Sequence, residues 1–225
     1  MIKEQMIADV PFDDQNYSKV EYPDYFFSTK NKKVMVKDLG KKFTSINSFF
    51  CDYLKEFHIP CAYIKIHHDN SLLYLKFHQL PFSIKILNAA NKRTARIFSI
   101  KEGSLLQLPV FEYHFGNAKD SLVSESHLIA FDLCTHENLK IINRICFKMN
   151  AVLKAFFERR GETVAEVTCS FGICENKIYL IDDFSPLSLK ILPNGNNNKW
   201  YDPYMLNSSS EMRKYTDFLF NISCS

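Results

Sequence analysis

The sequence predicts an α+β protein in which amphipathic helices cover antiparallel strands, and three observations carry that expectation. A capped helical stretch from Thr135 to Gly161 runs directly into two strand-like segments joined by a short turn. A second helical stretch, residues 45–57, is followed by three more strand-like segments. Apolar residues make up 46% of the 225, with twenty Phe and eleven Tyr, enough for a large aromatic-rich core. That length is one large domain or two small lobes sharing a core.

Taken in chain order, residues 1–24 are polar and acidic and read as a poorly ordered lead-in. Tyr25–Lys37 contains the strand-like pieces YFF and VMV around a basic turn at Lys30, Asn31, Lys32 and Lys33, so a hairpin is expected. Thr44 is placed to cap a helix from Ser45 to Phe57. Ile46, Phe49, Phe50, Tyr53, Leu54 and Phe57 share one face of it at helical spacing. His58–Ile59–Pro60 ends it, because the residue before a proline avoids the helical region.

Strands are expected at 62–66, 72–77 and 82–87, with Asp69–Asn70 turning between the first two. NAANKRTAR, residues 88–96, is basic. Residues 103–115 carry an apolar run, and 120–126 lead into a short helix near 127–131. Thr135 caps the long helix, whose buried stripe is Leu139, Ile142, Ile145, Met149, Val152, Leu153 and Phe156. Arg159 and Arg160 favour the dipole at its end, and Gly161 supplies the left-handed residue beyond it. Strands at 164–171 and 178–182 turn at Glu175–Asn176. NGNNN, 194–198, is a surface loop, and 210–221 a last helix.

Composition excludes several function classes. The six glycines are nowhere clustered, so no glycine-rich phosphate loop exists. A net charge of +3, from 28 basic and 25 acidic residues, is too balanced for a nucleic-acid footprint. Seven cysteines without a C-x-x-C read as buried thiols in a reducing compartment. The N-terminus lacks the apolar region of a signal peptide, and no run approaches a membrane span. A cytoplasmic protein without nucleic-acid or membrane partners is expected. His67 and His68 should point to opposite faces of a strand, which rules out joint metal ligation. Ser185 has no G-x-S-x-G surroundings, so it is not read as a nucleophile.

The most specific string lies at 168–186, TCSFGICENKIYLIDDFSP, ending in the adjacent carboxylates Asp182 and Asp183. Carboxylates at a strand end suit a magnesium–nucleotide site. With FHIP, LPFSIKILNAANKR and IKEG…LPVFEYHFGNAKDSLVSES in the same order, the span 43–190 resembles SAICAR synthetase, the phosphoribosylaminoimidazole-succinocarboxamide synthase of purine biosynthesis. The resemblance implies two lobes with an ATP cleft between them. An N-terminal lobe, 1–80, carries an antiparallel sheet on the nucleotide side. A C-terminal lobe, 81–225, carries substrate and metal. It implies ATP and Mg2+ as cofactors, and aspartate and carboxyaminoimidazole ribotide as substrates joined through an acyl phosphate. Because family enzymes commonly assemble, it also implies a homo-oligomer.

Carried over residue by residue, Asp182 and Asp183 are the catalytic pair, with Asp182 on the metal. Lys92, Arg93, Arg96, Asp120, Ser124, Glu125 and Lys190 are the substrate contacts. Lys30, Lys32 and Lys33 are either counterparts of the family's nucleotide-hairpin lysines or simply a charged turn. Glu102 and Glu112 also match. The departures fall on chemistry. Leu87 stands for a ribotide-binding Arg, Thr168 for a Lys, Ser170 for a metal-side Glu, Leu187 for an Asp, and Arg93 for a Ser. Two functions follow: an ATP-dependent ligase of this type, or a degenerate paralogue serving as a binding or assembly module.

Overall fold

The computed structural model describes residues 8–10, 16–116, 121–181, 183–193 and 201–224. Two antiparallel sheets form its frame. The first has strand order β1 (Ala8–Val10), β2 (Tyr17–Glu21), β6 (Ser71–Leu75), β5 (Tyr63–His68). The second runs β11 (Lys177–Leu180), β10 (Glu162–Cys174), β7 (His78–Ala89), β8 (Leu105–Phe115), β9 (Leu122–Val123), and β12 (Leu189–Pro193) pairs with the same edge of β10 that β11 occupies. The expected hairpin is present as β3 (Tyr25–Phe27) and β4 (Lys33–Met35).

The sheets are stitched together at one seam. Ala62 N–H donates to Leu180 O at 2.9 Å, and Leu180 N–H donates to Pro60 O at 2.8 Å. The chain leaves β11 at this seam, passes through Asp182–Ser188, and returns as β12. Asp183 therefore lies where the two sheets meet.

Helix α1 (Leu39–Glu56) starts six residues before the expected Ser45. Thr44 is not its cap but a buried interior residue, and its hydroxyl finds no partner. The apolar stripe continues backward through Phe43 and Leu39, so burial extends the helix past the polar signal. Gly40 permits this start. A Cβ there would lie 2.1 Å from Tyr22 O, and its N–H donates to Asp24 Oδ1 at 2.9 Å.

Helix α2 (Lys92–Phe98) forms within the basic stretch, capped by the Asn91 side chain. Helix α3 (Glu125–Ala130) and helix α4 (His136–Glu158) follow. Thr135 Oγ1 accepts from Asn138 N–H at 3.1 Å, as its residue type and place foretell. Arg159 Nε and Arg160 Nη1 donate to the last carbonyls of α4, Ala155 O and Phe156 O, and Gly161 has φ 74°. Helix α5 (Ser209–Cys224) packs back on α1. Among the described residues, no helix is long and apolar enough to cross a membrane. The NGNNN loop lies outside the described residues.

The core is aromatic where α1, α4 and the seam meet. The Phe50 ring lies 5.3–5.9 Å from those of Phe49, Phe156, Phe157 and Phe184. Phe184 belongs to the D-D-F-S-P string, so burying one ring fixes the loop that carries the carboxylates. A β-bulge between Ile66 and His68 overturns the expectation for the histidine pair: their rings lie 4.2 Å apart instead of on opposite faces.

Candidate active site

Strand alternation divides the second sheet into two chemically different faces. One face meets α4. Ile84, Ile86, Val167, Cys169 and Phe171 are fully buried there. Cys146 and Cys169 bring their sulfurs to 3.8 Å, and Asn88 and Asn150 exchange two amide hydrogen bonds of 2.8 Å. The opposite face is polar. Register places Ser83 beside Ser170 and His114, Lys85 beside Thr168 and Glu112, and Leu87 beside Glu166 and Val110. Lys190 on β12 is the register partner of Glu166.

The charges on this face are paired, and all but the half-exposed Arg93 are largely buried. Lys85 Nζ lies 3.5 Å from Glu166 Oε1, with side chains 19% and 4% exposed. Lys190 Nζ lies 2.8 Å from Asp202 Oδ2, at 7% and 11%. Arg93, the one residue of α2's basic trio turned to this face, donates to Glu112 Oε1 at 3.0 Å. His114 Nε2 stands 3.7 Å from Glu112 Oε2. Burial pushes the Glu112 carboxyl up, but the adjacent His114 ring and the charges of Lys85 and Arg93 prevail and hold it below its ordinary value. Charges taken this far out of water are costly unless paired, so such clustering marks a functional site more often than a structural one.

A short segment covers the face from above. It runs from Tyr201, which bridges to Ile191, through a 3-10 turn at Pro203–Met205 to Leu206. The Tyr204 phenol donates to Glu166 Oε1, and its ring lies 4.9 Å from Lys85 Nζ. Burial first, and the Glu166 charge next, push that phenol's pKa far up. Thr29 N–H donates to Leu206 O at 3.3 Å, which ties the segment to the β3–β4 turn.

That turn presents Lys30, Lys32 and Lys33, all exposed; Lys33 Nζ lies 3.8 Å over the Tyr25 ring. Asp183 is 4% exposed. Its Oδ2 accepts the Ser185 hydroxyl at 2.6 Å, and its charge reaches Tyr22 and Tyr74. It braces the seam from inside. Asp182 and Asp120 lie outside the described residues. Lys92 and Arg96 are exposed on α2. Ser124 caps α3, and Glu125 accepts from Asn143 Nδ2 at 2.9 Å and from the Tyr113 hydroxyl, on the α4 side of the sheet.

The structure therefore puts Arg93 and Lys190 on the same sheet face, Arg93 at Glu112 of β8 and Lys190 on β12, and places Ser124 and Glu125 on the other face. It adds Lys85, His114, Glu166, Asp202 and Tyr204, which sequence reasoning missed. The alternation in SIKIL and FEYH was the available signal, since it puts Lys85, Glu112 and His114 on one parity. Among the described residues, no three His, Cys, Asp or Glu side chains converge as metal ligands. A groove of about 380 Å³ lies elsewhere, between α1 and α5, lined by Phe49, Asp52, Tyr53, Glu56 and Phe220.

Comparison with known proteins gives one consistent result. The family model for SAICAR synthetase matches residues 24–208. The phosphoribosylaminoimidazole-succinocarboxamide synthase of Hahella chejuensis is 27% identical over 162 residues, covering 71% of this chain and 69% of that protein. The SAICAR synthetase of Pyrococcus horikoshii superposes with a TM-score of 0.84 at 20% identity, covering 96% of this chain and 97% of that one. A type-2 SAICAR synthetase in complex with ADP gives 0.84 at 21% identity, covering 96% and 94%.

Proposed function

The chain belongs to the SAICAR synthetase family, and from that premise we propose that it is an ATP-dependent ligase joining aspartate to carboxyaminoimidazole ribotide. The observation that carries this is the gathering of Lys85, Arg93, Glu112, Glu166 and Lys190 on one sheet face beside the inter-sheet seam. A ligase of this kind must hold two anionic substrates close together. Lys190 and Arg93 are the cations for carboxylate and phosphate groups, with Lys92 and Arg96 beside them on α2. Residues 1–80 form the nucleotide side and 81–225 the substrate side.

For ATP the fit is electrostatic: Lys30, Lys32 and Lys33 sit on one exposed turn tied to the polar face through Leu206. They would hold its phosphates, and ATP when bound supplies the phosphoryl group that activates a carboxylate. For magnesium the described residues do not form a cage, and no step is assigned to it.

A second reading, a degenerate paralogue acting as a binding or assembly module, draws on one observation. Leu87, Thr168 and Ser170, all departures from the family pattern, lie on neighbouring rungs of this same face.

The test is ADP release in the presence of ATP, magnesium, aspartate and the ribotide, for the parent chain and for Lys190→Met. Loss of a charge-assisted bond of about 1.5–3 kcal/mol lowers kcat/KM by roughly tenfold or more. A folded parent chain with no turnover, and no rise in melting temperature with ATP, refutes the ligase and leaves the second reading.

A further inference from the structure

The polar face contains a side chain suited to move a proton near neutral pH. Its carboxylates are engaged already: Glu112 by Arg93, Glu166 by Lys85 and the Tyr204 phenol, Asp202 by Lys190. Lysine and arginine stay protonated in that range. Imidazole is the side chain that changes charge between pH 5 and 8. His114 projects from β8 onto this face, two residues after Glu112 and in register with Ser83.

The two ring nitrogens of His114 have different neighbours. Nδ1 lies 3.0 Å from Ser121 Oγ. Nε2 is buried, makes no hydrogen bond, and faces Glu112 Oε2 at 3.7 Å. The charged groups around the ring are Glu112 on its own strand, Lys85 on β7 one rung away, and Arg93 on α2 acting through Glu112. A carboxylate opposite Nε2 favours the tautomer with its proton there. Nδ1 is then an acceptor, and the Ser121 hydroxyl donates to it. Ser121 itself is half-exposed, at the start of the β9 turn.

We propose that Ser121 and His114 form the proton path of this site. The Ser121 hydroxyl contacts the incoming ammonium of the amino-acid substrate, and His114 receives the proton through it. This rests on the ligase reading. The ammonium gives one proton to Ser121 Oγ as Ser121 gives its own to Nδ1. His114 becomes an imidazolium facing Glu112. The amine lone pair forms the new C–N bond at the activated carboxyl carbon, the leaving group departs with its bonding pair, and the remaining surplus proton on nitrogen passes to solvent. Ser121 touches substrate; His114 is a positioning residue acting through it.

Two variants test this. His114→Gln keeps a polar side chain but cannot titrate. Its kcat is expected to fall by about 100-fold or more, the acid limb of the kcat–pH profile to disappear, and KM for aspartate to stay within about twofold. Ser121→Ala is expected to lower kcat comparably without changing the melting temperature. A His114→Gln protein with its acid limb intact and a rate within about twofold of the parent overturns the proton path while leaving the ligase standing. A parent chain without turnover overturns both.

Discussion

Replacing Asn150 by alanine should unfasten α4 from the sheet. Asn150 and Asn88 are 3% and 4% exposed and exchange two hydrogen bonds of 2.8 Å, one in each direction. Each bond contributes about 1 kcal/mol net. Truncation also leaves the Asn88 amide inside a site closed to water, at a further cost of about 1–3 kcal/mol. The sum is roughly 3–5 kcal/mol. For a chain of this size that lowers the melting temperature by about 2–4 °C per kcal/mol. Urea denaturation of the parent, both single variants and Asn88→Ala/Asn150→Ala gives the coupling directly. The double variant should cost about 4–8 kcal/mol less than the summed singles by the same figures, since the two bonds are then lost only once and neither amide is left orphaned. Additive costs, or a single-variant loss under about 0.5 kcal/mol, would refute the pairing as a fastening.

Three further outcomes follow from the same coordinates. Gly40→Ala places a Cβ 2.1 Å from a backbone oxygen of Tyr22, so it should destabilise by about 1–3 kcal/mol or more, read by thermal melting. Glu112 has a lowered pKa, so its stabilising contribution is present above the ordinary glutamate value of about 4.5 and is lost as pH falls through its lower folded value. The stability gap between the parent and Glu112→Gln should therefore shrink on acidification over that range, in denaturation curves at stepped pH. Phe184→Ala empties a fully buried position beside Phe50 and should cost about 3–5 kcal/mol, with calorimetry as the check.

Much of the fold was legible because local signals agreed with burial. Thr135, the stripe from Leu139 to Phe156, and Gly161 each mark one part of α4, and all three match. The turn expected at Glu175–Asn176 is present, with positive φ at both residues. Thr44 misled for a clear reason. A threonine before an apolar stripe resembles a cap, but Leu39 and Phe43 extend the stripe beyond it, and packing outweighs a cap's contribution of about 1 kcal/mol. The histidine pair misled because a bulge is set by pairing with β6, which period-two counting does not contain.

The sequence by itself determined which stretches are helix or strand and, through alternation, which side chains share a strand face. It also carried the motif order that identifies the family. Only the tertiary structure decided that Lys85, Glu112, Glu166 and Lys190 meet on one surface, with Asp202 and Tyr204 laid over them. The physical reason is that periodicity is a property of one strand. Which strands lie side by side, and in what register, is settled by burying the helices and the seam, where distant segments compete for the same apolar contacts.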